Sequence, residues 1–179
     1  MNRKKIVIAA LIGTMSMPIV GANEYNLLNS YQTTNLKMAA KTGVSDGHKQ
    51  YVLPAIIYQE SKAGQDKDHS VFIGIGQVSI IAAREVLIEH PDVGEVCGDI
   101  HKKSPIKEIR RNVHHNDKCG IAMASKYLAI IRDKYKIGSI EQQIVAYQMG
   151  PIAAKRVVSS PYSRSVLMHA QYLIRMFRS

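Results

Sequence analysis

Apolar residues recur along most of this chain with the three-to-four-residue period of amphipathic helices, and short runs of glycine, proline and polar residues interrupt them. The clearest case starts at Cys119, where Ile121, Ala124, Tyr127, Leu128 and Ile131 fall on one face and predict a helix over 119–135. Ser139 is placed to cap a helix over 140–149, which Gly150 and Pro151 would stop. A helix over 80–89 ends before Pro91, and a last amphipathic one covers 165–177. Upstream, Leu53, Ile56, Ile57 and Glu60 share one face of a helix over 49–63. Ser45 or Asp46 could cap it, Gly64 would end it, and Pro54 predicts a kink or a delayed start.

The intervening stretches are less regular. Residues 23–44 are polar with scattered Leu27, Leu28, Leu36 and Met38, enough for one or two short helices. Residues 65–70 read as a charged loop. Residues 71–79, with Gly74 and Gly76, suit a short strand or buried turn better than a helix. Residues 91–117 read as irregular, with a short helix near 106–113 and His114 and His115 as loop residues. The fold class that follows is mainly α, a bundle of six or more helices with at most a small β element.

The first 22 residues belong to a different pattern. Arg3, Lys4 and Lys5 precede an apolar run over 6–20, and small residues at 20–22 precede Asn23. This is the layout of a secretory signal peptide cleaved after Ala22, although an uncleaved anchor shares its features. The run is shorter than the ~20 residues of a membrane-spanning helix, and no second span follows, so the mature chain is expected to lie free in the periplasm or outside the cell. Without Arg3, Lys4 and Lys5 the chain keeps 21 basic against 14 acidic residues, a net charge of about +7. That charge suits an anionic polymer or surface. Export, the lack of a base-reading motif and the absence of tryptophan argue against nucleic acid.

Export also bears on the two cysteines. Cys97 and Cys119 would close a loop of about 22 residues if oxidised, a bridge worth ~3 kcal/mol in the loop-entropy model. A second arrangement pairs Cys97 with His101 and His115 with Cys119 as a zinc set, and free thiols are a third.

The chemistry centres on Glu60. Placed on an apolar face, its carboxyl would enter a partly dry site that favours the protonated form. Taken alone, it better suits a helix-end glutamate whose side chain bends back to water, since buried glutamate is rare. Four segments in order change that balance: Gln59-Glu60-Ser61, Gly74-Ile75-Gly76-Gln77-Val78, Asn116 to Gly120 leading into 124–128, and Ala146-Tyr147-Gln148-Met149-Gly150-Pro151. Over residues 45–155 the chain resembles the soluble lytic transglycosylases, a lysozyme-like family. Its marks are a Glu-Ser pair ending a helix, a Gly-x-x-Gln turn, an Asn-x-x-x-Gly helix start and an Ala-Tyr-Asn-x-Gly motif.

The resemblance implies a lysozyme-like α+β domain over 45–179, helices around a central catalytic helix, behind an N-terminal extension over 23–44. It implies cleavage of peptidoglycan glycan strands between N-acetylmuramic acid and N-acetylglucosamine, with closure of a 1,6-anhydro ring. Glu60 would be acid and then base, without metal or cofactor. Ser61 would orient the substrate or the carboxyl. Gln77 would bond the sugar on a turn whose glycines admit close approach. Tyr147 would set its hydroxyl against Glu60, and Gln148 would occupy the substrate-binding position usually held by Asn. Cys119 and Gly120 would start a core helix in a packing role. Gln148, Met149, Ile75, Gly76 and Pro54 depart from the family pattern, and the small Gly76 would alter a sugar subsite.

By analogy with small family members, a monomer serving a secretion, conjugation or pilus complex of the envelope is implied. Two other readings stand beside this one. A goose-type-like lysozyme would need a second carboxylate near Glu60, for which Asp66 and Asp68 are the nearby candidates. A non-catalytic wall-binding assembly subunit would keep the fold alone.

Overall fold

The computed structural model describes residues 28–67 and 71–178. The predicted signal peptide and Asp68 lie outside the described residues. The chain is mainly helical: α1 Ser30–Ser45, α2 Val52–Ser61, α3 Ile80–Glu89, α4 Val93–Val96, α5 Ile106–His115, α6 Asp117–Asp133, α7 Ile140–Met149, α8 Pro151–Ala154 and α9 Pro161–Arg178. One antiparallel hairpin, β1 Phe72–Ile73 and β2 Val78–Ser79, pairs Ile73 with Val78. No helix among the described residues is long and apolar enough to cross a membrane.

Helix α2 sits at the centre. Val52 to Tyr58 are all buried, so this helix is covered on every side rather than along one stripe. It packs against α1, α6 and α9, while α6 in turn contacts α1, α3, α4, α5 and α7. Pro54 delays the start of α2 rather than kinking it. As the third residue of the helix it occupies the first turn, where its missing N–H had no intrahelical partner to lose. Tyr51 turns the chain into the helix with a left-handed φ of 67°.

Neither Ser45 nor Asp46 caps α2. Ser45 is the last residue of α1, and the Asp46 carboxylate instead accepts from Ser125 Oγ and Lys126 Nζ, both at 2.6 Å. Helix α1 itself begins with a reciprocal cap between Asn29 and Gln32 and puts Leu36 and Ala39 in the core. The described part of 23–44 is therefore one full helix packed on α2, not an extension outside the domain.

Residues 91–117 hold more helix than their composition suggests, and His114 and His115 close α5 rather than a loop. A disulfide joins Cys97, just after α4, to Cys119 in the first turn of α6. With both sulfurs bonded to each other, the zinc arrangement has no thiolate to use. The bridge fastens the least apolar part of the chain to a central helix.

Candidate functional site

Glu60 lies at the C-terminal end of α2, where the buried helix reaches the surface. Its carboxyl accepts a hydrogen bond from the Tyr162 hydroxyl on α9. Burial raises the pKa of Glu60 from the usual carboxyl range to about 7, and the Tyr162 hydrogen bond offsets part of that rise. A carboxyl of this kind holds a proton on about half the molecules at neutrality and can give or take it there.

Tyr162 was not among the residues singled out from the sequence. The last helix was expected to start at 165, but it starts at Pro161. Ser160 N donates to Ser163 Oγ at 2.8 Å and Ser163 N to Ser160 Oγ at 3.1 Å, a reciprocal cap with proline at the first helical position. The Ser-Pro-x-Ser spacing was the available signal. It places Tyr162 in the first turn, buried and facing Glu60. One and two turns further, Ser165 Oγ and His169 Nε2 reach Gln59 Oε1 at 2.7 and 2.9 Å. His169 also packs edge-on against Tyr58, and burial lowers its pKa to about 4, so it is neutral at physiological pH. Helix α9 thus fixes Tyr58, Gln59 and Glu60 together.

Tyr147 takes a different role from the one expected. Its hydroxyl donates to the Gly76 carbonyl at 2.7 Å, tying α7 to the hairpin turn, and its ring tilts against Tyr127. Burial first, and then the charge on Glu60, raise its pKa well above the usual phenol value. It therefore stays a neutral donor within the field of Glu60, but the hydrogen bond to the acid comes from Tyr162.

Ser61 is also corrected. It is 1% exposed; its hydroxyl donates to the Ile75 carbonyl at 2.6 Å and accepts from Gly64 N at 2.9 Å. It pins the hairpin turn to α2 and touches neither the carboxyl nor solvent. A residue that follows Glu60 on a helix points about 100° away from it, here into the core.

The turn glycines approach protein, not open space. A Cβ on Gly74 would lie 2.4 Å from the Val113 carbonyl, and one on Gly76 would lie 2.7 Å from Ala124 Cβ and 3.1 Å from the Tyr147 hydroxyl. Gly76 is thus a packing requirement, and it enlarges no subsite. Gly120 does the same from the other side, where a Cβ would meet Ile75 Cγ2 at 2.8 Å. Cys119 and Gly120 start α6 as a packing pair.

Gln77 is buried on this turn with a left-handed φ of 47°. Its Nε2 donates to the Gly74 carbonyl at 2.7 Å, and its Oε1 is a buried acceptor with no hydrogen-bond partner among the described residues. Gln148 is exposed on the outer side of α7, away from this network. Asp66 is exposed in the loop after α2. Among the described residues, no group of histidine, cysteine and acidic side chains is arranged to hold a metal ion.

Glu60, Tyr162, Tyr147 and the Gly76–Gln77 turn thus come together from four elements, while Ser61 and Gln148 stand apart. No family model, curated protein or solved structure matches the chain.

Proposed function

We propose that this protein is a lytic transglycosylase of the bacterial cell wall, with Glu60 as its single acid and base. The observation that carries the reading is the Glu60 carboxyl: half-buried, set to titrate near pH 7, and, among the described residues, held by the neutral Tyr162 hydroxyl with no cation bonded to it. Together with the order of sequence motifs, this supports an acid that delivers a proton to a leaving glycosidic oxygen at neutral pH.

The steps balance on that one group. Protonated Glu60 gives its proton to the oxygen between the muramic acid and glucosamine residues as that bond breaks. The muramic 2-acetamido group stabilises the cationic carbon. The Glu60 carboxylate then takes the proton of the same sugar's 6-hydroxyl, whose oxygen attacks the anomeric carbon and closes the 1,6-anhydro ring. An internal hydroxyl needs no capture of water and benefits from proximity that can reach ~7 kcal/mol. Tyr162 orients the carboxyl in both steps. The protein would act on wall glycan after export, in the periplasm or outside the cell.

Digestion of purified wall, with the released fragments read by mass spectrometry, tests this. Wild type is expected to leave 1,6-anhydro ends, and Glu60→Gln none. Reducing ends in place of anhydro ends would make it a hydrolase of the goose-type kind. Wall binding without cutting by wild type and variant alike would make it an assembly subunit.

A further inference from the structure

Helix α5 has an exposed basic side. Only Ile109 and Val113 bury their side chains, while Lys107, Arg111 and His115 form one exposed stripe at i, i+4 and i+8. The Lys107 and Arg111 pair sets like charges four residues apart, which destabilises a helix. Lys107 also stands in the first turn, where the helix dipole disfavours a cation. The wider segment 101–118 holds six Lys and Arg against Glu108 and Asp117, and Asp117 is already paired with Lys67 at 3.1 Å.

The stripe runs into a cleft of about 330 Å³, lined by Cys97, Gly98, Arg111, Asn112, His115 and Asn116. The cleft is held open from within. Cys97, one half of the disulfide, lines it, and Asn112 Nδ2 and Asn116 Nδ2 donate to the Cys97 and Val96 carbonyls at 2.8 and 3.1 Å. The two amides are thereby committed to the scaffold. Among the described residues, Arg111 uses its Nε, on Asn112 Oδ1 at 3.4 Å, and leaves its terminal nitrogens to the cleft.

We propose that the Lys107–Arg111–His115 stripe and its cleft bind an extended peptide bearing carboxylates, supplied by the peptide stems of the wall polymer. Charge complementarity gives the sign of the ligand. The spacing gives its form, since successive stripe positions are about 6 Å apart along the helix and alternate side chains of an extended peptide are about 6.6 Å apart. The concave cleft suits a narrow chain better than a flat lipid surface. The assignment of source rests on the wall-glycan reading above; the carboxylate chemistry does not.

The test uses Glu60→Gln protein, so that ligands survive the measurement, and titrates it with soluble glycan fragments that carry or lack their peptides. Peptide-bearing fragments are expected to bind about tenfold more tightly at low salt, as two or three exposed charge contacts allow. Adding Lys107→Gln and Arg111→Gln should erase that difference and leave the affinity for peptide-free glycan unchanged. Equal affinity for both fragments, or a preference that survives the double substitution, overturns the proposal. An unrelated acidic peptide that binds as well as the free stem peptide overturns the wall as its source.

Failure of the enzymatic reading is visible separately, as wild-type protein that cuts neither fragment. The free stem peptide, compared with its amidated form, still scores the cleft in that case.

Discussion

Two acidic side chains, one closing α1 and one near the end of α2, each receive a hydroxyl, yet they are set in opposite directions. Asp46, just before α2, takes Ser125 Oγ and also the Lys126 ammonium. Burial would raise its pKa, but those two partners outweigh it and leave Asp46 below the ordinary carboxyl value. Glu60, near the C-terminal end of α2, has the Tyr162 hydroxyl and, among the described residues, no ammonium or guanidinium as a partner, and burial wins. A neutral donor alone does not hold a buried carboxyl ionised; a cation at hydrogen-bond distance does. Asp46, at the end of α1, is thereby a fixed structural anion, and Glu60, at the end of α2, a group that exchanges its proton near neutrality.

The comparison is broken most severely by removing the exchangeable proton. Glu60→Gln should lower wall digestion by on the order of 10²–10⁴-fold, the usual range for losing a general acid and base. Release of anhydro fragments, counted by mass spectrometry, measures it. The same variant should be more stable than wild type at alkaline pH. A folded-state pKa raised from 4.5 to about 7 means that the native protein binds more protons than the unfolded chain across that window, so stability falls as pH rises through it. The full difference is about 3 kcal/mol above pH 7 and vanishes below pH 4, as chemical denaturation of both proteins at pH 4 and pH 8 would show.

Tyr162→Phe sharpens the contrast from the other side. It removes the hydrogen bond that lowers the Glu60 pKa, so the fall in activity on the alkaline side should move up by about one pH unit, the worth of one such hydrogen bond. A pH–rate profile of each protein reads the shift, and an unmoved limb would detach Tyr162 from the acid. The smallest effect belongs to Lys126→Met. It should let the Asp46 pKa climb, as seen by NMR titration, at a cost of about 1 kcal/mol or less, because the pair is partly solvated.

What the sequence disclosed follows from which signals are local. Helices α3 and α7 begin and end where the pattern places them, because Ser79 and Ser139 cap them through their own side chains and Pro91 and Gly150 lie just beyond. Helix α2 escaped its predicted start because Tyr51 enters it through a left-handed backbone with no side-chain cap. Its companion α1 belongs to the core through Leu36 and Ala39, two positions too few to mark it in a polar stretch. At the site, the position of Glu60 was legible from the apolar face that leads to it. Its partner was not, because which tyrosine meets an acid 102 residues away is decided by packing. Ser61 misled for a related reason: adjacency in sequence is the one relation that a helix turns into divergence.

The acid therefore exists in the chain long before it is armed. Residue 60 emerges early in synthesis, while the hydroxyl that aims it arrives with α9, together with the Ser165 and His169 contacts that steady the neighbouring turn. A nascent or clipped polypeptide lacking that helix carries the glutamate in an unlatched helix end. Such a fragment holds no aimed proton, so on the proposed reading the capacity to react arrives together with α9.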